Sequence, residues 1–115
     1  MHTTSRFMQG SHSFEGWGLC KPVPIDPALA YTVPPGVTGQ ALYFRSGNST
    51  EEMITIVLVR DGQPMRYFPI GARAGTHVPL RVVEDLISCT QIKLHIAAPE
   101  GCVGTVVIDF GLLEV

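Results

Sequence analysis

With 115 residues and 12.5 kDa, the chain has room for one hydrophobic core and not for two independent ones. Apolar residues make up 45% and charged residues 16%, against roughly 25% charge in ordinary soluble domains, so part of the surface is expected to be covered in an assembly. A net charge of -2 and a pI near 6.0 exclude broad electrostatic attraction to nucleic acid, which needs a concentrated basic face.

The opening "MHTTSRFMQGSH" lacks the charged region and apolar stretch of a secretory leader, and no apolar run of about 18 residues could span a bilayer. A soluble protein made in the cytosol is expected, with no membrane partner. Residues 1 to 40 carry five of the nine prolines. Proline fixes φ and removes a ladder donor, so this stretch is expected to be an extended arm rather than a helix or a central strand. Phe7, Phe14, Trp17 and Tyr31 are its expected anchors on a neighbouring subunit, because large rings bury much area at modest entropic cost.

From residue 41 to 115 the pattern turns to period two, and this part is expected to form the folded body. "ALYFR" places Leu42 and Phe44 on one face, with Tyr43 and Arg45 on the other. "MITIVLVR" is apolar on both faces from Met53 to Val59, as a central or doubly covered strand is. "LRVVEDLIS", 80 to 88, could compete as a helix, with Leu80, Val83 and Ile87 at helical spacings, but its β-branched residues and short length favour a strand followed by a turn. "QIKLHIA" alternates Ile92, Leu94 and Ile96 inward with Gln91, Lys93 and His95 outward, and "VGTVVIDF" closes the series. Turn chemistry falls between these runs at 46 to 50, 61 to 64, 71 to 75 and 99 to 101. The expected fold is all-β, an antiparallel β-sandwich or jelly roll with an extended N-terminal arm.

The chemistry-bearing residues are sparse. His2, His12, His77 and His95 show no ligand-pair spacing, so no metal is expected. Cys20, Cys89 and Cys102 have no C-x-x-C spacing, and a Cys89 to Cys102 bridge is disfavoured in a reducing compartment. No G-x-S-x-G elbow is present, and Glu51-Glu52 and Glu84-Asp85 lie beside turns where charge is usually solvated. "GARAG" matches no phosphate-binding glycine pattern, so no cofactor is expected. The stretch "DGQPMRYFPIGARAGTHVPLRV" collects Arg66, Arg73, His77 and Arg81, and arginine there is read as an interface residue whose planar fork pairs with carboxylates. Pro79 marks an edge strand, which needs covering by an oligomer contact.

Ala41, Leu42, Tyr43, Asp61, Gly62, Phe68, Gly75, Val78, Pro79, Leu80, Arg81 and Val82 follow an order of "ALY" strand, D-G turn, aromatic strand, glycine turn and L-P-x-R-V-like strand. This order, over about 41 to 83, resembles small β-sandwich virion proteins of tailed phages and gene transfer agents. "EDLISCTQ" departs from it, standing where a small threonine-rich turn is the pattern. The resemblance implies a non-enzymatic structural protein of a phage or phage-like particle, located in the virion. It further implies a homo-oligomer attached to the capsid, as spike base or head decoration, or to the tail. The alternative is a carbohydrate-binding receptor-recognition module that stacks host-surface glycan on Trp17, Tyr43 or Tyr67. A third reading, a jelly-roll enzyme with a metal in its mouth, needs ligands that the spacing does not supply.

Overall fold

A computed structural model describes residues 3 to 80 and 85 to 115. Ten strands follow in chain order: β1 (Thr4–Glu15), β2 (Val23–Pro24), β3 (Ala30–Thr32), β4 (Gly39–Asn48), β5 (Ile54–Arg60), β6 (Gln63–Ile70), β7 (Gly75–Pro79), β8 (Asp85–Leu86), β9 (Gln91–Ala97) and β10 (Val103–Glu114). They form two five-stranded sheets. The first runs β1-β10-β4-β7 with β8 on β4, and the second runs β2-β9-β5-β6 with β3 on β9. All the pairings are antiparallel, so the fold is the expected all-β sandwich.

The core is the set of inward residues on the central strands. Val106, Ile108, Phe110 and Leu112 of β10 face Ile54, Ile56 and Leu58 of β5 and Ile92, Leu94 and Ile96 of β9, all buried in one cluster. Phe44 and Phe68 join the sheets as a stacked pair, with centroids 4.2 Å apart and planes 12° from parallel. Each fully buried side chain of this size contributes about 1.5 to 3 kcal/mol. Central placement of β5 also explains its unbroken apolar run: Val57 and Val59, on the outer face, are buried too.

Three expectations are corrected. Residues 1 to 40 do not leave the body as an arm. β1 pairs along its whole length with β10, β2 and β3 pair with β9, and Met8, Phe14, Leu29 and Val33 lie in the core. Their prolines fall in short edge segments and loops, where a missing donor costs no central ladder bond. Second, Leu42 does not share the inward face with Phe44. Gly111 pairs with Tyr43 and Leu112 with Ala41, so Leu42 is the extra residue of a bulge and is left exposed. Third, "SGNST" is not a turn from residue 46, because β4 continues through Asn48. Of "LRVVEDLIS", Leu80 is half-buried and Asp85–Leu86 forms β8, while residues 81 to 84, Arg81 and Val82 among them, lie outside the described residues. The three cysteines are free.

Candidate functional site

Register, more than composition, builds a polar row on the surface of the sandwich. On the outer face of the first sheet Gln9 pairs with Asp109, Asp109 with Arg45 and Arg45 with His77, a single row crossing β1, β10, β4 and β7. Gln9 Nε2 and the Tyr43 hydroxyl both donate to Asp109 Oδ1, at 3.0 and 2.8 Å, while Arg45 Nη1 stands 3.8 Å from Oδ2. The Gln9 hydrogen bond, aided by Tyr43 and Arg45 against the opposing effect of burial, holds the Asp109 carboxyl below its usual range. Burial, and donation to Asp109, push the Tyr43 phenol up. His77 meets the Tyr43 ring edge-on at 6.2 Å. Gly111 makes this possible, since a Cβ there would sit 2.3 Å from the Tyr43 ring.

The next row is Ser11, Val107, Gly47 and Gly75. Two glycines side by side leave an open depression of about 550 Å³ floored by backbone and walled by Arg45, His77 and Asp109. Asp109 is held ionised with Oδ1 already accepting two internal donors, which suits it to fixing the surface and to ion pairing. Ser46, beneath, donates its hydroxyl to the Val107 carbonyl at 2.7 Å.

A second groove lies between β6 and β7, where the two sheets end side by side. Arg66, Tyr67, Phe68, Pro69, Thr76, Val78, Pro79 and Leu80 line it. Of the residues singled out in the arginine-rich stretch, Arg66 lines this cleft between two sheet edges, while His77 lines the first depression. Tyr67 is 61% exposed there.

The remaining expected site residues divide. Phe14 is buried in this chain's own core, and Tyr31 is half-buried with its hydroxyl donating to Glu114, so both are engaged within the chain. The reason is the pairing of β1 and β3 into the sandwich. Phe7 and Trp17 stay exposed, at 56% and 59%. Trp17 is turned out because Gly16 is pressed against Pro99, with room for no Cβ, and the Gly16 and Gly18 amides bond to Cys102 and Ala98. Arg73 pairs with Glu51 at 2.8 Å on an exposed turn. His95 is not simply solvent-facing: its Nε2 is buried without a hydrogen-bond partner among the described residues, and burial, then Lys93, lower its pKa. Among the described residues no cluster of three or more His, Cys, Asp or Glu side chains is placed to hold a metal.

Two polar closures escaped the sequence reading. At one end of β10, Glu114 is carried inward by the strand's alternation and accepts from Tyr31 of the other sheet and from Arg6 Nε at 3.2 Å. At the other end buried Asn48 donates to the Glu52 and Gly71 carbonyls, at 2.8 and 3.1 Å, and accepts from the Thr50 amide and hydroxyl. Partners up to 108 residues apart leave no local signal.

No protein-family model matches the chain, and no curated protein matches it. Solved structures do. A chain in the structure of infectious bursal disease virus, Gt strain, aligns over 98% of this chain with a TM-score of 0.51 and 12% identity. One from the Gx strain does so over 98% with a TM-score of 0.51 and 15% identity. The present chain spans about a third of those chains, 32% and 31%. What the likeness shows is the fold, an all-β sandwich.

Proposed function

We propose that the chain is a non-enzymatic structural protein of a phage or phage-like particle, a sandwich that self-associates and attaches to the capsid, as spike base or decoration, or to the tail. The carrying observation is the alignment of nearly its whole length with part of a virus chain. Its surface supports the same reading. Phe7, Trp17, Leu19, Met53, Tyr67, Val103 and Val107 are exposed on a small domain with little charge, which suits a protein covered by neighbours. The test is to purify particles from producing cells on a density gradient and quantify peptides of this chain against the major shell protein. A fixed, symmetry-compatible ratio is expected. Recovery only in the soluble fraction would overturn the proposal.

A carbohydrate-recognition role has one observation in its favour, exposed Tyr67 beside polar Arg66 and Thr76 in the β6–β7 cleft. Glycan-array binding that disappears in Tyr67→Ala would support it, and a blank array would remove it.

A further inference from the structure

The four edges of the two sheets are not alike. Gly16 N–H donates to the Cys102 carbonyl, extending the β1–β10 ladder by one pair. Hydrogen-bonded pairs alternate along an antiparallel ladder, so the even-numbered residues of β1 exchange bonds with β10. The backbone N–H and C=O groups of Ser5, Phe7, Gln9, Ser11, Ser13 and Glu15 therefore point away from the sheet, and no backbone bond within the described residues meets them. The strand is twelve residues long and has no proline and no lysine.

The other edges are blunted. On β7, the Leu80 N–H donates to the Leu42 carbonyl, which by the same alternation puts Pro79 at an outward-facing position. On β6, the Asp61 N–H to Gln91 O bond fixes the alternation of β5, and Pro69, paired with Thr55, is again outward-facing. Both edges thus lack a donor where an added strand would need one. The remaining edge is made of β2 and β3, two and three residues long, with Pro24 in the first.

We infer that the open edge of β1 pairs antiparallel with β1 of a second copy, joining the first sheets of two protomers into one continuous sheet across a two-fold axis at Gly10. The inference rests on the self-association proposed above and names its surface. Three features select a second copy. The outward set from Ser5 to Glu15 is symmetric about Gly10, so this register satisfies all of it at once, Gln9 against Ser11, Phe7 against Ser13 and Ser5 against Glu15. Gly10 meets Gly10 of the partner at the axis, where backbones approach most closely and a side chain would be in the way. Antiparallel pairing also keeps the half-exposed Arg6 side chains at opposite ends of the joint, whereas a parallel arrangement in register would set these like charges side by side. Phe7, 56% exposed on the outer face, would be covered beside the small Ser13. The joined sheet would end at a β7 strand on both sides, so growth would stop at the pair.

The test is sedimentation velocity on the full chain with amide exchange read residue by residue. A species of twice the 12.5 kDa monomer mass is expected, with the amides of the outward set protected as concentration rises. Ser13→Pro, which removes an outward donor, and Ser11→Lys, which places charge beside its own symmetry mate, are each expected to weaken the pair at least tenfold with the melting profile kept. His77→Pro, at an outward position of the already blunted β7, should leave it intact. An oligomer whose outward β1 amides exchange freely, or that ignores both variants, would overturn this surface while leaving self-association standing. A monomer at every concentration would overturn both the pair and self-association in solution.

Discussion

The sandwich is closed at its two ends by polar groups of opposite kinds. Around Asn48 the closure is neutral: one amide uses both its donors and both acceptor positions to tie the end of β4 to the turns after it and before β7. Around Glu114 it is ionic: a carboxylate buried by its strand's alternation accepts from a phenol on the opposite sheet and from an arginine on the neighbouring strand. Both solve the same difficulty, a polar side chain placed where a core residue would be, because a buried group is costly only when unpaired. They differ in what the solvent can undo. Protons can open the second closure and cannot open the first.

Asn48→Ala is the substitution expected to cost most. It removes four hydrogen bonds and leaves the Gly71 and Glu52 carbonyls without that partner at a buried position. A loss of about 2 to 4 kcal/mol is expected from urea unfolding, and the same loss at every pH. A loss that varied with pH would show that the plug is coupled to a titrating neighbour, and the contrast between the ends would fail.

Glu114→Gln is expected to cost less at neutral pH and to change the shape of the pH profile. The Tyr31 hydrogen bond, then Arg6, hold the folded-state pKa of Glu114 below its ordinary value. Its contribution is complete above the unfolded value of about 4.3 and is lost as pH falls through the lower folded one. Tyr31 works the other way. Burial and donation to Glu114 raise its pKa, so its share is present below about pH 10 and lost as pH rises toward the folded value. Thermal melts of wild type and Glu114→Gln should differ most near neutrality and converge in acid. Parallel curves down to about pH 3 would mean the carboxylate adds nothing by being ionised.

Neither closure was legible in the sequence, for separate physical reasons. Asn48 stands in "SGNST", whose composition is that of a turn, and only the pairing of β4 with β10 shows that the strand runs on past it. Glu114 lies beyond the run read as a strand, a terminal glutamate is ordinarily solvated, and Tyr31 and Arg6 are 83 and 108 residues away. What periodicity could carry, it carried: Ile92, Leu94 and Ile96 inward, β5 central and Pro79 on an edge. What it could not carry was the partner of each strand. Thus the proline-rich first 40 residues read as an arm, although β1 has no proline and supplies Met8 and Phe14 to the core. The row Gln9, Asp109, Arg45, His77 was hidden for the same reason, since four residues on four strands become neighbours only through register. The bulge at Leu42 inverted one face assignment that alternation alone would have made.

The smallest effect separates what a charge does at the closed ends from what it does outside them. Arg73 and Glu51 meet at 2.8 Å beside the Asn48 plug, with side chains 70% and 78% exposed. Solvent screens such a pair, and ordering two long side chains offsets much of the attraction, so Arg73→Ala is expected to cost less than about 1 kcal/mol. The backbone at this position matters more than the guanidinium. Arg73 sits at φ +52° in the turn before β7, and its N–H bonds to the Thr50 carbonyl at 2.8 Å. Left-handed backbone penalises any residue with a Cβ by about 1 to 2 kcal/mol, so Arg73→Gly should be more stable than Arg73→Ala by close to that amount. Urea melts of the two variants read this directly. If alanine and glycine came out equal, the turn would have to relax out of the left-handed region, and the Thr50 bond would not constrain it.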